Sequence, residues 1–220
     1  MKSEIAIYAI DVGSIKRKNF AWAKHGGKAG TEIKDLADNI VKDLKQNKRV
    51  ALGVECPLFV PCPRDPQGLG KARDAEKSPG EGRAFSATAG ACAAMTGMTQ
   101  LAWILRDVKE RCGDLCGTTC WGEFFESENC RLYIWEAFVS GKSKGKDHSD
   151  DAKAAVRAFD FVVRNSDKGP ISAVSREGSF SIAEALLLWA GLSADSKALN
   201  RSCVVVKGKP KEQSVAGRKP

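Results

Sequence analysis

Three acids, Asp11, Glu55 and Glu136, each end a short apolar run: IAIYAI before Asp11, VALGV before Glu55 and LYIW before Glu136. Runs of this kind are what central strands covered on both faces require. In open α/β sheets ligands gather beyond the carboxyl ends of the strands, so acids that recur there are candidates for joint chemistry. Carboxylates buried side by side repel one another and lose hydration, which raises their pKa values unless a cation intervenes. A hard divalent ion with oxygen ligands removes that conflict. Asp11 and Glu55 are therefore the first candidate ligands, and Glu136 a further one. A single carboxylate in such a place could equally cap a neighbouring turn.

A fourth contribution comes from Asp147-His148-Ser149-Asp150-Asp151-Ala152, at the start of an expected helix over about 149–163. A spacing of three puts His148 and Asp151 on one helical face, with Ala155 continuing it, while Asp150 points elsewhere. The alanines let this helix approach a sheet closely enough for Asp151 to reach the other acids. Acids in a first turn also offset the helix dipole, which needs no catalytic role. The same applies to Glu184, in the first turn of a later apolar helix, SIAEALLLWAGL.

These residues need a scaffold. Residues 5–10 form the first strand, and Asn19–Ala23, where Phe20 and Trp22 alternate with smaller residues, forms its hairpin partner. Gly26, Gly27 and Gly30 then break the chain, and no third strand is apparent before Thr31. From Thr31, Ile33, Leu36, Ala37, Ile40, Val41 and Leu44 recur at helical spacing as far as about Gln46. Arg49–Glu55 is again a buried strand. Strand, helix, strand at this length implies a right-handed crossover, with Asp11 and Glu55 at one edge of a parallel pair. Residues 57–90 are rich in Pro, Gly and charge and read as a functional loop. Helix is expected at Ala91–Arg111, strand at Arg131–Glu136, helix at about 181–193 and a short strand at Cys203–Val206.

The chain of 220 residues is long enough for one core without staples, and 43% hydrophobic with 28% charged residues is a globular composition. No apolar run approaches the ~20 residues of a membrane span. With no export signal apparent, a cytoplasmic location is expected, and the eight cysteines are expected to be free thiols. Cys112, Cys116, Cys120 and Cys130 invite a zinc reading, but the intervening Gly and Thr suggest a turn region instead. The net charge of +8 suits an anionic partner. Lys207, Lys209, Lys211, Arg218 and Lys219 against Glu212 put +4 of it in the last fourteen residues, so a basic tail, 208–220, is expected after a single domain, 1–207. In the long loop Arg64 and Arg83 could contact a substrate phosphate, although Asp65, Asp74, Glu76 and Glu81 nearly cancel the loop's charge.

The segments IDVGS, VALGVECPLF, WEAF and HSDDAKAA, in this order over residues 5–163, resemble the ribonuclease H-like superfamily. The likeness is to nucleases of uncharacterised bacterial families and to the Holliday-junction resolvase branch. It implies an α/β fold with a mixed sheet flanked by helices. It also implies an Asp on the first strand and a Glu on the fourth meeting an acid on a late helix. Asp11, Glu55 and Asp151 would then be metal ligands, with His148 an auxiliary ligand or proton-transfer group and Glu184 the alternative to Asp151. The expected activity is hydrolysis of phosphodiester bonds in DNA or RNA with two Mg²⁺ or Mn²⁺ ions. IDVGS also resembles the first phosphate-binding turn of actin-like ATPases and sugar kinases, though these normally carry two fold copies. A binding module that keeps the fold without catalysis is the third expectation.

Overall fold

The structure is a computed structural model and describes residues 4–77, 85–139, 143–166, 168–174 and 178–208. The chain begins with β1 (Ile5–Asp11), β2 (Ala21–Lys24), β3 (Ala29–Gly30), α1 (Ile33–Lys45) and β4 (Arg49–Val54). Then come β5 (Phe59–Pro61), α2 (Thr88–Cys112), β6 (Cys116–Thr118), α3 (Trp121–Glu126) and β7 (Cys130–Phe138). It closes with α4 (His148–Arg164), β8 (Ser179–Ser181), α5 (Ile182–Trp189) and β9 (Val205–Lys207).

The fold is α/β. Seven strands form a mixed sheet in the order β3-β2-β1-β4-β7-β6, with β9 also pairing with β7. β2 runs antiparallel to β1 and to β3, whereas β4, β6, β7 and β9 join in parallel. The third strand of the meander thus exists. It is two residues long, pairing Ala29 and Gly30 with Ala23 and Trp22, too short to leave an alternating pattern in the sequence. The 57–90 segment is also more ordered than a loop. It contains β5, which pairs antiparallel with β8, and two single 3₁₀ turns at Pro66–Gly68 and Asp74–Glu76, and α2 starts at Thr88. Residues 78–84 and 209–220 lie outside the described residues, and with them Arg83 and most of the basic tail.

Alternation along the strands divides the core into two layers. Tyr8, Ile10, Leu52, Val54, Leu132 and Ile134 face α1, α2 and α5, where Leu36, Ile40, Leu101, Ile104 and Leu187 cover them. Ile7, Ala9, Ala51, Tyr133, Trp135 and Ala137 face α4 and α3. Apart from Ile5 and Ile7 the residues on this second side are small on β1 and β4, and α4 answers with Ala152, Ala155 and Ala158, so helix and sheet come close. Trp135 stacks on Phe159 of α4 with ring centroids 4.3 Å apart. Gly53 makes room for that indole, because a methyl group there would overlap the Trp135 ring. Among the described residues no helix is long and apolar enough to cross a membrane.

Candidate metal centre

β1 and β4 pair in parallel with Ile10 opposite Val54, so the next residues, Asp11 and Glu55, leave the sheet side by side. The Glu55 amide still donates to the Ile10 carbonyl at 2.9 Å. Both acids have the parity of Ala9 and Gly53 and so lie on the α4 side of the sheet. There α4 presents its first turn. The helix is capped by Asp147, whose side chain accepts from the Asp150 amide at 2.8 Å, and this cap fixes where Asp151 falls. One carboxylate oxygen from each of Asp11, Glu55 and Asp151 lies within 4.8 Å of the other two. Asp11 and Asp151 are 5% and 4% exposed, respectively.

The surrounding groups offset part of this charge. His148 Nδ1 lies 2.5 Å from Asp11 Oδ2, one residue inside the cap of the same helix that carries Asp151. Asp151 accepts from the Gly145 amide at 2.5 Å on Oδ1 and from Lys144 Nζ at 3.0 Å on Oδ2. Burial pushes the Asp11 carboxyl above its ordinary range. His148 and Lys144 oppose that shift, and the Asp151 charge adds to it. Lys144 and Gly145 stand in a stretch whose composition reads only as a polar loop. Their signal, a Lys-Gly pair just ahead of a capped helix, is too common to select them.

Three other candidate acids do not join the group. Glu136 lies beside Val54 in the β4–β7 register and has the parity of Ile134, so it enters the opposite layer, under α2. There Arg73 grips it in a bidentate pair, Nη1 to Oε2 at 2.8 Å and Nη2 to Oε1 at 2.6 Å, while Arg73 also holds Glu76 at 2.7 Å. The Leu58 amide donates to Glu136 as well, at 3.0 Å. Burial pushes Glu136 upward and Arg73 works against it. Glu136 is thus an anchor for the 57–90 segment. Glu184 is buried beyond β7, where Thr119 donates to it from its amide at 2.9 Å and its hydroxyl at 2.6 Å. Asp150 turns to the loop and accepts from the Lys146 amide at 3.2 Å. Arg64 is exposed.

No family model, curated protein or solved structure matches the chain. The chemistry of the donors is therefore what bears on a ligand. Three carboxylates, no thiol and one imidazole make a hard, oxygen-rich set, which suits Mg²⁺ or Mn²⁺. Two Mg–O bonds of 2.0–2.1 Å span at most about 4.2 Å, so modest side-chain rotation would draw the three oxygens onto one ion. The cysteines of the 112–130 region do not form such a set, since among the described residues the acids are the one group of three or more potential ligands close enough to share an ion.

Proposed function

We infer that this chain is a divalent-metal-dependent nuclease of the ribonuclease H-like kind. The observation that carries the reading is the convergence of Asp11, Glu55 and Asp151 from two adjacent parallel strands and a late helix. A meander of three antiparallel strands followed by parallel ones, with the Asp on β1, the Glu after β4 and the third acid on α4, is the arrangement the superfamily resemblance implies. Asp11, Glu55 and Asp151 would hold Mg²⁺ or Mn²⁺, which when bound supplies an activated water and charge stabilisation at the leaving oxygen. His148 keeps Asp11 oriented through Nδ1 and, being half-exposed, offers its other nitrogen for proton transfer. Lys144 balances Asp151 and stands where an anionic substrate would approach. The substrate is a nucleic acid, and the setting a reducing, cytoplasmic one.

The test is a Mn²⁺ titration by calorimetry together with cleavage assays over single-stranded, duplex and junction DNA and RNA. The reading expects metal binding that Asp151→Asn weakens by orders of magnitude, and cleavage that falls in parallel while the circular dichroism spectrum is kept. Glu184→Gln should have little effect on either. Metal binding without cleavage of any substrate would point to a non-catalytic binding module. No metal binding would reject the reading outright.

A further inference from the structure

β6 and β7 begin at Cys116 and Cys130, which are register partners in the parallel ladder. The register shifts immediately after them, so that Gly117 faces Leu132 and Arg131 has no register partner on β6. This irregularity leaves the two thiols directly against each other, Sγ to Sγ at 2.7 Å, while both cysteines are free. Two unbonded sulfurs rarely come so close, and forming a disulfide of ~2.05 Å would need little further movement. Cys130 is 2% exposed and Cys116 only half-buried. Cys112 and Cys120 take no part in this contact.

We propose that Cys116 and Cys130 form a thiol–disulfide exchange site, oxidised to an intramolecular disulfide by low-molecular-weight disulfides such as oxidised glutathione. The more accessible Cys116 thiolate attacks one sulfur of the small disulfide, breaking its S–S bond and releasing one thiolate. Cys130 then gives up its proton and attacks the Cys116 sulfur of the mixed disulfide, expelling the second small thiolate. The two protein thiols lose two electrons and two protons, and one small disulfide becomes two thiols. The hydrogen bond from Cys130 lowers the Cys116 pKa against the effect of burial, and Cys130 itself is raised, which matches attacker and resolver. The bond would close the segment that carries α3, whose end is already held by Arg49 through the carbonyls of Phe124, Phe125, Ser127 and Cys130. The pair sits at the amino ends of β6 and β7, opposite the sheet edge that bears the acids, so the site stands independently of the proposed nuclease chemistry.

The full chain is incubated with graded mixtures of oxidised and reduced glutathione, quenched in acid, alkylated and mapped by mass spectrometry. The expected product is a cross-link between the Cys116 and Cys130 peptides with a mass loss of about 2 Da, reversed by reductant and accompanied by a raised thermal midpoint. Cys130→Ser should trap a stable glutathione adduct on Cys116, and Cys116→Ser should leave Cys130 alkylatable. Cys62 and Cys92, both exposed, report that the reagent is active. Modification of those two with Cys116 and Cys130 still fully alkylatable would overturn the proposal, as would a cross-link to any other cysteine. Mn²⁺ titration of the oxidised form should match that of the reduced form.

Discussion

His148 and Asp11 are in direct contact, Nδ1 to Oδ2 at 2.5 Å, although 137 positions separate them in the chain. The contact joins the end of β1 to the start of α4, the two elements that supply two of the three converging carboxylates. It orients Asp11 and partly offsets the effect of burial on that acid. Partners of ligating groups typically contribute 10–100-fold to metal affinity or activity. His148→Ala should lower metal-dependent cleavage by roughly that factor and leave the fold intact, as read by initial rates beside circular dichroism. A variant with full activity would remove His148 from the machinery.

Lys144 occupies one oxygen of Asp151 at 3.0 Å and is a third exposed. A bound metal ion must share Asp151 with this ammonium or displace it. Lys144→Met removes the competitor and leaves the three acids more anionic. A half-screened pair of this kind is worth about 1 kcal/mol, so Mn²⁺ should bind about 5-fold more tightly to the variant. Calorimetry decides the sign, and weaker binding would mean that Lys144 supports the ligands instead of competing with the ion.

Arg73 and Glu136 form a bidentate pair in which each side chain is only 1% exposed. Removing one partner strands the other charge in the core, which costs ~3–5 kcal/mol. Arg73→Met should lower the urea midpoint accordingly, and adding both Glu136→Leu and Glu76→Gln, which leaves neither acid charged and unpaired in the core, should recover most of the loss. If Arg73→Met leaves the midpoint unchanged, the Leu58 amide is holding Glu136 and Arg73 is secondary.

Asp43, in the last turn of α1, accepts from the Tyr8 hydroxyl at 2.5 Å and from Lys24 Nζ at 2.6 Å, with Lys48 at 3.9 Å. Burial works to raise its pKa, but these partners win and hold it below the usual carboxylate range. A depressed folded-state pKa contributes stability above the unfolded value, near 3.9, and that contribution is lost as pH falls through the folded value. Asp43→Asn should therefore cost about 2 kcal/mol at neutral pH and flatten the acid side of the stability curve. Denaturation midpoints across the acid range for both proteins test this, and parallel curves would refute it.

The framework of the site is legible in the chain. Continuous apolar runs ending in Asp11 and Glu55, with an amphipathic helix between them, leave little choice but adjacent parallel strands with both acids at one edge. The capped helix start with His148 and Asp151 three apart follows from local spacing and Asp147. Which of the acids meet is not legible there. A fully apolar strand carries no alternation to say which layer its end residue enters, so Glu136 could not be separated in advance from Asp11 and Glu55. Register and packing did that, sending Glu136 to Arg73, 63 positions earlier, and leaving the other two facing α4. The two-residue β3, the Lys144–Asp151 pair and the Cys116–Cys130 contact are hidden for a different reason. Each joins residues near one another in the chain through the path of a turn or the register of a very short strand, and such local geometry leaves no periodic trace in the sequence.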